Sequence, residues 1–165
     1  MERIIEEAGA VYRKYGSGDV AYLAEKLGVE VHEELNARNV KEVYFPDLQA
    51  VVISPGLPRH ERNYLLAHGL GHHLFHRTGT ERTGASFREE LACGNVVMGQ
   101  MGSSKTEREA DLFAGYLLVP ETRLKVMLGQ TWLDEANDPV LKLALEFQVP
   151  VELMRERLIF AGLRK

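Results

Sequence analysis

The chain has 165 residues, 45% hydrophobic and 27% charged, with a formal net charge of −4 and a single cysteine, Cys93. That length suits one domain with a substantial core, and the composition is that of an ordinary soluble globular protein. Scattered basic residues argue against a nucleic-acid-binding face, no apolar run approaches the roughly eighteen residues of a membrane span, and a lone cysteine excludes an internal disulfide.

Ile4, Ile5, Ala8, Val11, Tyr12 and Tyr15 recur at helical spacing, so residues 2–15 are expected to form a helix stopped by Gly16-Ser17-Gly18. This stretch is acidic and lacks the apolar run of a secretory signal. With the lone cysteine, that makes a reducing cytoplasm the expected location. Asp19 can cap a second helix, DVAYLAEKLG, closed by Gly28. VEVHEEL, Val40 to Tyr44 and Ala50 to Ser54 then read as strands, with Pro46-Asp47 as a turn signal. Three short strands in succession predict a small antiparallel sheet, with His32 on a strand surface.

From His60 to His76 the chain reads HERNYLLAHGLGHHLFH, and four of the six histidines fall here within nine residues. On a helix turning about 100° per residue, His68, His72 and His76 lie within ~80° of one another, and Leu66, Leu70 and Leu74 form a stripe ~160° away. Leucines on one side and stacked imidazoles on the other predict a helix that buries the first and turns the second toward a cleft. Residues four apart can reach one Zn²⁺ from consecutive turns. His68 and His76 stand about 12 Å apart along the axis, too far for bonds of about 2.0–2.1 Å to one ion. The pair is therefore His68/His72 or His72/His76, and spacing does not choose between them.

From Arg77 to Ser104 periodicity fails in a glycine-rich connection, which we read as a loop near the site carrying a short helix over Phe87 to Ala92. Cys93, within it, reads as a small incidental residue rather than a ligand. A further helix begins near Ser104. On it Glu107 and Asp111 lie ~40° apart with Ala114 and Leu118, whereas Glu109 points ~160° away from Asp111 on the side of Tyr116. Ser104-Lys105-Thr106-Glu107 is also a capping-box pattern. Phe113 and Leu117 are expected to pack this helix on the histidine helix, and Pro120 to end it. Three helical pieces follow: ETRLKVMLGQ, DPVLKLALEF and VPVELMRERLIFAGL. The last two resemble a helix-turn-helix, but a DNA-reading second helix needs basic residues and this one offers only Arg155 and Arg157, so a packing hairpin is expected. Trp132 and Met154 read as core or interface residues.

Two blocks carry a family resemblance. AHGLGHHLFH (Ala67 to His76) resembles the AHELGHxLxH segment of the ImmA/IrrE zinc metallopeptidases, gluzincin-like proteins of bacteria and their mobile elements. EREADLFAGYLLVP (Glu107 to Pro120) is similar to their ExxADxFAxxLLxP segment, in the same order along the chain. The resemblance implies a mainly helical α+β, zincin-like fold, with the small antiparallel sheet beside an HExxH-type helix and a C-terminal helical hairpin. Residues 1–131 would form the metallopeptidase domain, and 132–165 the hairpin packed on it in a single compact unit. It selects His68 and His72 as Zn²⁺ ligands. A ligand and its orienting partner must face one cleft, so Glu107 becomes the third ligand and Asp111 the acceptor that fixes an imidazole tautomer. His76 is left in a supporting or structural role.

One position departs from the pattern. The family has Glu directly after the first histidine, where this chain has Gly69. That carboxylate is the general base which deprotonates the attacking water. Glycine cannot accept a proton, and inside a helix it costs about 1 kcal/mol relative to alanine. A deliberate inactivating change, a natural pseudo-enzyme, and a base supplied from elsewhere, Glu89 or Glu90 for instance, would each account for it. The expected function is peptidase-like action on a helix-turn-helix repressor-type regulator, impaired or absent as the chain stands. The alternative is a non-catalytic zinc-binding module that holds a regulator or toxin-like partner.

Overall fold

The computed structural model of the chain describes residues 1–16, 19–35, 41–76, 105–130 and 138–162. The connection between 77 and 104, with Cys93, Glu89 and Glu90, and also Trp132, lie outside these residues.

Helix α1 (Glu2–Tyr15) buries Ile4, Ala8 and Val11 and ends where Gly16 takes a left-handed φ of 79°. Asp19 caps α2 (Val20–Lys26), its carboxylate accepting from the Ala21 and Tyr22 amides at 3.0 and 3.2 Å. This satisfies two donors that the first turn would otherwise leave open.

Strand β3 (Ala50–Ile53) is buried at all four residues. A strand covered on both faces is most stable with neighbours on both edges, because its backbone groups cannot turn to water. β2 (Glu42–Phe45) returns to it as an antiparallel hairpin, and β1 (Glu30–His32) takes the other edge in parallel, giving the order β1-β3-β2. The sheet is thus three-stranded as expected but mixed rather than wholly antiparallel, because β1 joins the strand after next instead of its sequence neighbour. Register then fixes the faces. Glu42 stands opposite Ile53 and Tyr44 opposite Val51, on the side of the main helical core, while Val43, Phe45 and Val52 form a small cluster with Leu35 on the other side.

The histidine helix α3 (Arg59–Phe75) lies against β2 and β3 on one side and α4 (Lys105–Leu118) on the other. Two of its glycines set how close those neighbours come. A Cβ at Gly69 would stand 2.5 Å from Val51 Cγ2, and one at Gly71 would stand 2.9 Å from Ala110 Cα. Gly71→Ala therefore sets two effects against each other. Alanine gains about 1 kcal/mol of helix propensity, but overpacking costs about 1–3 kcal/mol, and the atom it meets is backbone that cannot swing aside. We expect a net loss of up to about 2 kcal/mol, read from the urea midpoint; a raised midpoint would contradict the close approach.

After Pro120 come α5 (Glu121–Leu128), α6 (Pro139–Phe147) and α7 (Val151–Phe160). Asp138 caps α6 through the Leu141 amide at 3.0 Å, and Gln148 closes it with a φ of 55°. Leu143, Phe147, Leu153 and the fully buried Met154 share one core cluster with the residues of α1 to α4. Arg157, one of the two basic residues a reading helix could have offered, is buried. Its Nε donates to the Val119 carbonyl at 3.2 Å, and its guanidinium lies 3.6 Å above the Tyr116 ring centre. No helix among the described residues is long and apolar enough to cross a membrane.

Candidate metal centre

His68 and His72, one turn apart on α3, face Glu107 in the first turn of α4. One donor atom from each of the three lies within 4.8 Å of the others. Glu107 reaches both rings, with Oε2 3.5 Å from His68 Nε2 and Oε1 3.4 Å from His72 Nε2. These separations are long for hydrogen bonds. Donors on one tetrahedral ion, each bonded at about 2.0–2.1 Å, stand about 3.3 Å apart, close to what is observed.

Burial and charge point the same way. His68 and Glu107 are 7% and 6% exposed. His68 Nε2 is fully covered and has no hydrogen-bond partner among the described residues, a state that costs about 1–3 kcal/mol unless something satisfies the atom. Burial, followed by the neighbouring His68 and His76, drives the His72 pKa down to about 3, so this ring offers a lone pair. Burial also lowers His68, but the carboxylates around it, Glu42 first, outweigh this and hold it above its ordinary value. Burial raises Glu107, with Glu42 and Asp111 adding to the effect against the opposing pull of His68. Several carboxylates thus crowd one buried imidazole pair, an excess of negative charge that a divalent cation would neutralise. The donor set and the uncovered valence of His68 fit such an ion.

His76 closes α3 as its C-cap, and its Nδ1 lies 3.2 Å from His72 Nδ1. Its Nε2 lies 3.0 Å from Glu109 Oε2. A carboxylate only accepts, so His76 Nε2 carries hydrogen. When His76 Nδ1 accepts from His72 Nδ1–H, His72 Nε2 is left bare toward Glu107. Glu109, which the helical wheel turned away from the cleft, is thus the far end of a chain that orients His72. A Cβ at Gly69 would meet Val51 and the Glu42 carboxylate of the sheet.

Asp111 does not hold an imidazole Nδ1. Its Oδ1 accepts from the Tyr64 hydroxyl at 2.6 Å and lies 3.6 Å from His68 Nε2, on the metal-facing side of the ring. The carboxylate at His68 Nδ1 belongs to Glu42, with Oε2 at 3.2 Å. Sequence reasoning missed Glu42 and Tyr64. The alternation Glu42-Val43-Tyr44-Phe45 reads as a strand with a wet face bearing Glu42 and Tyr44, yet that face covers α3, where Tyr44 also meets the buried His73 at 2.8 Å. The capping-box alternative for Glu107 needs Ser104, which lies outside the described residues. A cleft of about 1080 Å³ opens beside the centre, lined by Glu42, His68, Glu107 and Asp111 and by Leu145 and Val149 of the C-terminal hairpin.

The sequence matches the family model of the IrrE N-terminal-like domain, a peptidase family, over residues 24–159. No curated protein matches the chain significantly. The matched range contains both helices of the centre, all three strands and most of the C-terminal hairpin.

Proposed function

Because the chain belongs to the IrrE N-terminal-like family of metallopeptidases, we propose that it is a zinc-dependent peptidase homologue of the cytoplasm whose hydrolytic step is impaired. Its proposed target is a helix-turn-helix repressor-type regulator. The observation that carries this reading is the convergence of His68, His72 and Glu107 from two helices. Two imidazoles and one carboxylate are a donor set of catalytic zinc sites with an open fourth position. When bound, zinc polarises a carbonyl and acidifies water.

The chain's own residues supply the rest, and one part is missing. Glu107 and the two imidazoles would hold the ion, and the cleft lined by the centre and the hairpin would receive the polypeptide. Gly69 can take no proton, a loss worth roughly 10²–10⁴ in rate. Three of the carboxylates around the centre already accept a hydrogen bond: Asp111 from Tyr64, Glu42 from His68 and Glu109 from His76. A second reading, a module that binds its regulator without cutting it, is favoured by the packing at Gly69. A side chain there would meet Val51 at 2.5 and 2.9 Å, so the surroundings suit glycine.

The test runs the zinc-loaded chain beside a Gly69→Glu/Val51→Ala/Glu42→Ala variant, in which the second and third changes remove the side chains that the first would meet. Both are incubated with repressor-type proteins encoded nearby. The variant is expected to cut at least about 10²-fold faster. Equal cutting by the unaltered chain would overturn the impairment. No cutting by either, with a tight complex, would establish the binding module instead.

A further inference from the structure

We infer that Glu42, on the edge strand, is the positioning residue for His68, and that glycine at position 69 is what leaves room for it. This deepens the metal-centre reading and rests on it. Both partners are buried, the His68 side chain 8% exposed and that of Glu42 6%. Oε2 lies 3.2 Å from Nδ1. Since a carboxylate can only accept, Nδ1 carries the proton. Nε2 then presents its lone pair to Glu107 and Asp111. A carboxylate behind a metal-ligating imidazole fixes both ring angle and tautomer.

The second half of the inference comes from the other oxygen. Oε1 lies 3.0 Å from where a Cβ at position 69 would begin. A glutamate there would start in the space that the Glu42 carboxylate uses and would bring a second negative charge beside it. The helix and the strand therefore supply alternatives: a carboxylate carried by α3, or one carried by β2 behind His68. This chain has the second. Of the two Glu42 oxygens, Oε1 is fully covered and Oε2 holds the His68 ring. Strand register holds Glu42 in place, since it pairs with Ile53 at the end of the β2–β3 ladder.

Two variants test this. Glu42→Met keeps most of the volume on a face shared with Val51 and Ile53 but offers no comparable acceptor. Glu42→Gln keeps an amide oxygen that still accepts Nδ1–H. The first readout is the nitrogen NMR signature of the His68 ring in metal-free protein, at a pH where the ring is neutral. The unaltered chain should show the proton on Nδ1, Glu42→Met should lose that preference, and Glu42→Gln should retain part of it. The second is zinc affinity by chelator competition, with Glu42→Met weaker by about 10–100-fold and Glu42→Gln between it and the parent. A folded Glu42→Met protein with an unchanged tautomer overturns the inference, whatever its zinc affinity. If the unaltered chain takes up no zinc, the metal-centre reading falls while the tautomer measurement still judges Glu42. If it binds zinc and Glu42→Met matches it within two-fold, the role of Glu42 falls and the centre stands.

Discussion

Replacing His72 by alanine is expected to weaken zinc binding by more than about 100-fold, because removing a supporting residue behind a ligand already costs about 10–100-fold and this change removes a ligand. The metal-free protein should lose only about 1–2 kcal/mol, the smaller end of the range for truncating a buried side chain. His72 is outside the apolar core cluster, stacks with Tyr44 and sits as a desolvated ring with its pKa pushed down to about 3. The contrast between the two measurements is the diagnostic. A histidine that only packed would show the stability loss without the affinity loss. Metal analysis should find close to one zinc per unaltered chain and almost none in the variant. Undiminished zinc in His72→Ala would remove the ion from this centre, and the proposed function with it.

Acid should act on the same centre in a defined direction. Ligands must be unprotonated to bind a metal. His72 is already neutral down to about pH 3, so it sets no limit near neutrality. His68 is held above its ordinary 6.5 by the carboxylates around it and is the first group at which a proton competes. Zinc affinity should be flat above the His68 pKa and fall about tenfold per pH unit below it, as expected for one competing proton. The two rings differ because Glu42 stands behind one and a histidine behind the other.

What could be read from the sequence was what repeats locally. The i, i+4 spacing of His68 and His72, the glutamate four residues before Asp111, the Asp19 cap and the glycine stops are all decided within a turn or two of chain. They reached the structure intact. Contacts across the fold were not legible. Glu42 is 26 residues from His68, and no local rule says which face of a three-stranded sheet meets a helix. An exposed edge would have sent the Glu42 face to water; covering by α3 turned it inward. The mixed sheet has the same origin, since the pairing of β1 with β3 depends on what buries β3. Glu109 shows the limit of the helical wheel. Its distance from Asp111 around α4 is real, but His76 at the end of α3 meets it there. Gly69 reads in the sequence as a lost base, whereas its fit against Val51 is set by the packing of the helix on the sheet.

That dependence of the site on long-range packing is why Phe113→Ala is expected to be the most damaging single change for stability. Phe113 is fully buried on α4, and its ring meets Phe75 of α3 edge-on with centres 5.8 Å apart. Truncating such a phenylalanine costs about 3–5 kcal/mol, a large share of the roughly 5–15 kcal/mol that holds a domain together. Through Phe75 the residue packs the helix that carries Glu107 against the helix that carries both imidazoles. Metal and packing should therefore compensate for one another. A ligand that binds only the folded state adds about 2.7 kcal/mol at a concentration 100 times its dissociation constant. Zinc at that concentration should thus restore roughly half or more of what the substitution removes, measured as urea midpoints with zinc and with chelator. A loss below about 1 kcal/mol would contradict the packing described between α3 and α4, because so small a value falls outside the range for a buried ring. A folded variant that zinc fails to stabilise, beside a parent that it does, would mean that the helices had parted far enough to take Glu107 out of reach.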